Sequence, residues 1–175
     1  MQNQEFTVEQ LVAKLGLQPL PGEGGLYRET YRSAETIPGS ALAARYEGQA
    51  RLCGTTILYL LTDQPDSFSA LHRLKTDEVY HFYLGDPLEM TLLHPNGAFE
   101  QVVLGQDVFN GQQVQAVAPA GAWQGSRLAR GGRFALVGTS MAPGFSPADF
   151  ELGLRASLLA QYPAAEEFIR ALTRF

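Results

Sequence analysis

His72 and Glu78 stand six residues apart in the stretch Ser69-Ala-Leu-His72-Arg-Leu74-Lys-Thr-Asp77-Glu78-Val-Tyr80-His81-Phe82-Tyr83-Leu-Gly85. An imidazole changes charge near neutral pH, and a neighbouring carboxylate orients it and favours its protonated form. Such a pair can bind an anionic or hydroxyl-bearing ligand, or move a proton at a carbon next to a carbonyl. Tyr80 is the candidate acid beside them, with Tyr27 and Tyr31 as substitutes from another strand. Phe82 adds an aromatic wall. Further along, Trp123 offers a large apolar face with one donor, and Gln124 an amide that both donates and accepts.

For these groups to meet, strands must aim them. Period-two alternation predicts that Phe68, Ala70, His72 and Leu74 share one face and that, past a short polar turn, Glu78, Tyr80, Phe82 and Leu84 share another. The two strands read as one hairpin, with His72 and Glu78 converging if both faces line the same interior. By the same parity Tyr27, Glu29 and Tyr31 lie together in the strand over 25–33, opposite Arg28, Thr30 and Arg32. Further strands are predicted at 51–61, 88–94, 99–104, 113–118 and 133–141, and Asn110-Gly111 is a hairpin signal between Val108 and Val114. Thr7 with Gln10 three residues on has the form of a capping box opening a short amphipathic helix that closes at Gly16. The segment 17–25 is a connector, 34–49 a loop suited to a mobile lid, and helices are expected over 150–161 and 164–173. Close-spaced strands without βαβ alternation predict an all-β, double-sheet jelly roll.

The pattern His72-x-Leu74-x3-Glu78-x6-Gly85 resembles the first motif of the cupin superfamily, and Pro119-x-Gly121-x2-Gln124 its second. The phrases Asp77-Glu78-Val-Tyr80-His81-Phe82-Tyr83, Trp123-Gln124 and Pro143-Gly144-Phe145 with Asp149-Phe150-Glu151-Leu152 are similar to those of short, single-domain cupins of uncharacterised role. The resemblance implies a double-stranded β-helix with a core over about 25–145, a short N-terminal helix and a helical tail over about 149–175, all in one domain. It also implies a homodimer. Cupins commonly hold a metal on three histidines and a glutamate. Here Leu74 and Gln124 replace two of the imidazoles, leaving His72, Glu78 and Gln124 as the remaining donors, so no cofactor is expected and a divalent metal is the weaker alternative. Sugar-nucleotide epimerases of the broader fold use a histidine base and a tyrosine acid. By analogy the implied function is a metal-independent isomerase or epimerase acting on a sugar-like or carbonyl-containing metabolite, the alternatives being a non-catalytic metabolite-binding module and a metal-dependent oxygenase.

The composition narrows the partners. A formal charge of −5, without a Lys/Arg cluster, argues against nucleic acid as a partner. A chain of 175 residues can bury about 70% of its unfolded surface without disulfide or metal. The lone Cys53 and the absence of an apolar run of bilayer length or of signal-peptide type make a cytoplasmic location the expectation and a membrane an unexpected partner.

Overall fold

A computed structural model of the chain describes residues 6–174. Its strands are β1 (Gln18–Pro19), β2 (Leu26–Arg32), β3 (Thr36–Ile37), β4 (Arg51–Leu52), β5 (Thr55–Thr62), β6 (Phe68–Arg73), β7 (Glu78–Gly85), β8 (Leu88–Leu93), β9 (Phe99–Leu104), β10 (Gln115–Ala118), β11 (Trp123–Leu128), β12 (Phe134–Met141) and β13 (Glu151–Leu152). The α-helices are α1 (Val8–Leu15), α2 (Arg155–Gln161) and α3 (Glu166–Ala171). One sheet has the order β1-β2-β5-β12-β7-β10 and the other β13-β6-β11-β8-β9, with β3 and β4 paired separately. From β5 to β8 the chain changes sheet at every strand, which is the wrapping of a jelly roll.

Alternation along these strands divides the apolar residues between three layers. Tyr59 and Leu61 of β5, Ala135 and Val137 of β12, and Met90 and Leu92 of β8 face inward and fill the interior between the sheets. Their neighbours Leu60 and Leu136 face outward and receive Val8, Leu11, Val12 and Leu15 of α1. That helix forms as the sequence predicts: the Thr7 hydroxyl accepts from the Gln10 amide at 3.2 Å, the Gln10 side chain accepts from the Thr7 amide at 2.9 Å, and Gly16 closes the helix at φ 63°. On the other side Leu71, Leu93 and Trp123 form the outer face of the second sheet, covered by Leu158, Tyr162, Ile169 and Leu172 of the tail. Burying each such large apolar side chain contributes about 1.5–3 kcal/mol.

Four expectations are corrected. β6 and β7 do not form a hairpin, because they lie in different sheets and residues 74–77 arch between them. Asn110-Gly111 likewise turns the chain without making a hairpin, since β9 and β10 belong to opposite sheets. The helical tail begins at Arg155 rather than at Phe150. Glu151 and Leu152 instead pair with Arg73 and His72 as an edge strand, and the Gly153 amide donates to the Leu71 carbonyl at 2.7 Å. The segment 34–49 is not a loose lid, being tied down through the pairing of β3 with β4. Within it Tyr46 is 1% exposed, with its hydroxyl 2.7 Å from that of Thr76. Next to this tyrosine, Arg51 makes a bidentate ion pair with Asp149, both contacts at 2.6 Å and both side chains buried. Among the described residues no helix is long and apolar enough to cross a membrane.

Candidate functional site

β6 would present every second side chain to the interior if it were regular, but it carries one extra residue. Ser126 pairs with Ser69 and Gln124 with His72, so two steps along β11 match three along β6. This bulge puts Ser69 and His72 on the same inner face and sends Phe68 to the outer layer with Leu71, which corrects the predicted grouping of Phe68 with His72. Gly125 stands opposite the bulge, where a Cβ would lie 3.0 Å from the Ser69 carbonyl oxygen and 3.2 Å from the Leu71 Cα. The residue at the centre of the register shift has no side chain because the bulged backbone occupies that space.

The imidazole is held at both ends. His72 Nδ1 lies 2.8 Å from the Ala70 carbonyl oxygen. A carbonyl only accepts, so Nδ1 carries the hydrogen and the neutral ring has its lone pair on Nε2. Phe150 stacks on the ring at a centroid distance of 5.2 Å, placed there by the β13 pairing. Nε2 looks toward Glu23, whose Oε2 is 3.9 Å away, while Glu23 Oε1 accepts from the Ser69 hydroxyl at 2.7 Å. Glu23 is the site residue that sequence reading missed, since it lies in the segment read as a connector. That segment is rigidly tied: the Glu23 carbonyl accepts from the Ala70 amide at 2.9 Å and the Gly24 carbonyl from the Tyr59 hydroxyl at 3.0 Å. Gly24 sits at φ 107°, and a Cβ there would run into the Arg174 guanidinium and the Phe68 carbonyl oxygen, so a side chain could not share the position. An acid flanked by glycines was the only local signal.

Glu78 enters from the other sheet at the start of β7. Its Oε2 accepts from Gln124 Nε2 at 2.7 Å and from the Tyr80 hydroxyl at 3.4 Å. Burial raises its pKa above the usual carboxylate value, with the Glu23 charge acting in the same direction; His72, the Thr139 hydroxyl and the Gln124 amide oppose the rise. His72 and Glu78 therefore face one cavity from opposite sheets, and Glu23 closes it from the β1–β2 connector. The cavity has a volume of about 460 Å³, within the range of small-molecule sites.

The other expected site residues divide. Tyr27 lines the cavity. Tyr31 does not: β2 is bulged between Glu29 and Tyr31, which leaves Tyr31 55% exposed and brings Arg32 onto the cavity side with Glu29. Arg32 Nε and Nη2 each donate to a Glu29 oxygen at 2.8 Å. Tyr80 and Phe82 lie in the apolar interior rather than on the cavity wall. Burial, reinforced by Glu78 and Glu23, pushes the Tyr80 phenol well above its ordinary pKa, so it serves as a hydrogen-bond donor to Glu78 rather than as a ready acid. Gln124 is buried behind Glu78. Trp123 is on the outer face under the tail, with the Arg73 guanidinium 4.6 Å from its ring centroid, and Arg73 also pairs with Glu151.

The donor set does not fit a tightly held transition metal. Leu74 lines the cavity without a lone pair, and Gln124 turns its NH2 toward Glu78. Among the described residues no three His, Cys, Asp or Glu side chains converge on one point.

Comparison with known proteins agrees with this fold. The family model described as Cupin superfamily (DUF985) matches residues 9–153. The uncharacterized protein YML079W of Saccharomyces cerevisiae is 31% identical over 136 residues, which are 74% of this chain and 65% of the yeast protein. This chain thus spans less than two thirds of that relative. A hypothetical protein from Leishmania major is 34% identical with a TM-score of 0.84, over 96% of this chain and 99% of the other. Protein SO0799 from Shewanella oneidensis is 32% identical with a TM-score of 0.83, over 97% and 99%. Oxalate decarboxylase from Bacillus subtilis, at 14% identity, a TM-score of 0.51, and 89% of this chain against 37% of that one, shares the fold alone.

Proposed function

The chain belongs to the DUF985 family of the cupin superfamily, and from that premise we propose that its cavity is a metal-independent proton-transfer site, an isomerase or epimerase for a small, hydroxylated carbonyl compound. The observation that carries this reading is the fixed tautomer of His72: Nδ1–H is spent on the Ala70 carbonyl, and the Nε2 lone pair is presented 3.9 Å from the Glu23 carboxylate. A substrate whose C–H lies next to its carbonyl gives that proton to Nε2, and the electron pair moves onto the carbonyl oxygen. Glu23 stabilises the imidazolium that results. Glu78, whose pKa is raised by burial, supplies the proton that the oxygen needs, and Gln124 holds the carboxylate left behind. Return of the proton to the neighbouring carbon, as the hydroxyl on the first carbon gives its proton back to Glu78, isomerises the substrate, whereas return to the other face of the same carbon, as the enol hydroxyl gives its proton back to Glu78, epimerises it. Tyr80 supports Glu78 from behind.

Incubation in D2O with a panel of aldoses, ketoses and α-hydroxy aldehydes, read by NMR, tests this directly. Deuterium should enter the carbon next to the carbonyl of at least one compound. His72→Asn keeps a side-chain donor for Ala70 but removes the base, and should slow exchange by about 10²-fold or more. A compound that binds in the cavity and shows no exchange would establish a non-catalytic metabolite pocket instead.

A further inference from the structure

We propose that the ligand of this cavity carries a positive charge: it is a small hydroxylated amine whose ammonium group sits between Glu23 and Glu78. The inference rests on the reading of the cavity as a small-molecule site and names the class of compound that enters it.

Charge balance is the first ground. Glu23, Glu29 and Glu78 line the cavity, against Arg32 and His72. Arg32 is already neutralised by Glu29 through two 2.8 Å contacts, and Arg174, near Glu23, spends its Nη2 on the carbonyls of Glu23, Asp66 and Phe68. Two carboxyl groups and one imidazole remain, with no free cation among the described lining residues. A carboxylate or phosphate ligand would have to break the Arg32–Glu29 pair or approach two acids unaided, in a cleft where like charges are poorly screened.

Hydrogen-bond accounting is the second ground, and it is independent of charge. His72 Nε2 is an acceptor in the neutral ring. Among the described residues Glu23 Oε2 receives no hydrogen bond, its neighbour being the imidazole at 3.9 Å. The site has a surplus of acceptors, and a ligand rich in donors satisfies it. Hydroxyl groups supply donors but leave the two acids uncompensated, while an ammonium supplies three donors together with the missing charge. Tyr27 and Phe145 also line the cavity, and aromatic side chains favour a cation over an anion.

Isothermal titration of the full chain at neutral pH with a matched series tests the charge: glucosamine, its N-acetyl derivative, glucose, gluconate and glucose 6-phosphate. Glucosamine should bind at least tenfold more tightly than glucose or N-acetylglucosamine and should weaken as NaCl is raised, while the two anions should not bind. Glu23→Gln should erase most of the preference for the amine. Glu29→Gln, a second variant that leaves the inner site intact, frees Arg32 and should admit gluconate. An anion that binds as tightly as the amine, equal binding of amine and neutral sugars, or no binding by any member would overturn the inference. Deuterium exchange is read separately: amine-selective binding without exchange ends the proton-transfer reading and leaves this one standing, and exchange on a neutral sugar without amine preference does the reverse.

Discussion

Gln124 and Glu78 meet across the sandwich: the amide Nε2 on β11 donates to the carboxyl Oε2 on β7 at 2.7 Å, so that one side chain from each sheet is fixed by the other. In the cupin pattern that this chain resembles, the position of Gln124 holds a metal-binding imidazole. Here it serves as a hydrogen-bond donor to the acid. Replacing it by Leu would strand a buried carboxyl, at a cost of about 1.5–3 kcal/mol for a hydrogen bond to a charged group, and would raise the Glu78 pKa further. Urea unfolding and carboxyl NMR titration of Gln124→Leu check both effects.

The same relationship makes metal binding a matter of two side chains. Leu74→His combined with Gln124→His adds two imidazoles to His72 and Glu78. The double variant, expressed with zinc or manganese, should retain close to one ion per chain by elemental analysis. Each single variant should retain less, because it leaves the four-donor set one imidazole short.

Stability should depend on Glu78 through a defined pH window. Its folded pKa is raised above the reference value of 4.5, so the unfolded chain ionises first. The stabilisation is complete below the unfolded pKa and is lost as pH rises through the folded one, by about 1.4 kcal/mol per unit of difference. Denaturant midpoints measured from pH 4 upward should fall more steeply in the wild type than in Glu78→Gln. Equal slopes would show that this carboxyl is not displaced upward.

Removal of the Asp149 charge should be costly and should reach the cavity. Asp149 is 4% exposed and holds Arg51, itself 5% exposed, on two 2.6 Å contacts. Asp149→Ala leaves a guanidinium buried without its counter-ion, at a cost of about 3–5 kcal/mol. Phe150 follows it directly and stacks on His72, so the loss should also loosen the imidazole. Thermal unfolding reads the first effect, and the His72 ring resonances read the second.

Most of the fold was open to inference from periodicity, because inward and outward apolar residues along β5 and β12 alternate without interruption and their turns are marked by Gly, Pro and Asn. His72, Glu78 and Tyr27 reached the cavity for that reason. Tyr31, Arg32 and Phe68 broke the pattern, since a bulge in β2 and another in β6 each reverse the parity of the residues on their far side, and an extra residue leaves no mark in a hydrophobic pattern. Trp123 and Gln124 were placed together by adjacency, although neighbours on a strand necessarily face opposite layers. Glu23 was hidden for another reason. It belongs to no strand, and its position depends on hydrogen bonds to Ala70 and Ser69, which are 47 and 46 residues away.

The bulge in β6 therefore carries the site, and Gly125 is the place to test it. A methyl group there meets the Ser69 carbonyl oxygen at 3.0 Å and the Leu71 Cα at 3.2 Å, both backbone atoms that cannot rotate away. Gly125→Ala should cost about 1–3 kcal/mol by overpacking and should push β6 away from β11. Since Ser69 and His72 flank the bulge, their shared hold on Glu23 should fail together. The expected signature is a folded protein with normal strand content by circular dichroism, a lowered unfolding midpoint and loss of the hydrogen bond between His72 Nδ1 and Ala70, read from the imidazole proton resonance. A variant that unfolds at the wild-type midpoint and keeps that resonance would show that the extra residue of β6 does not set the direction of the histidine.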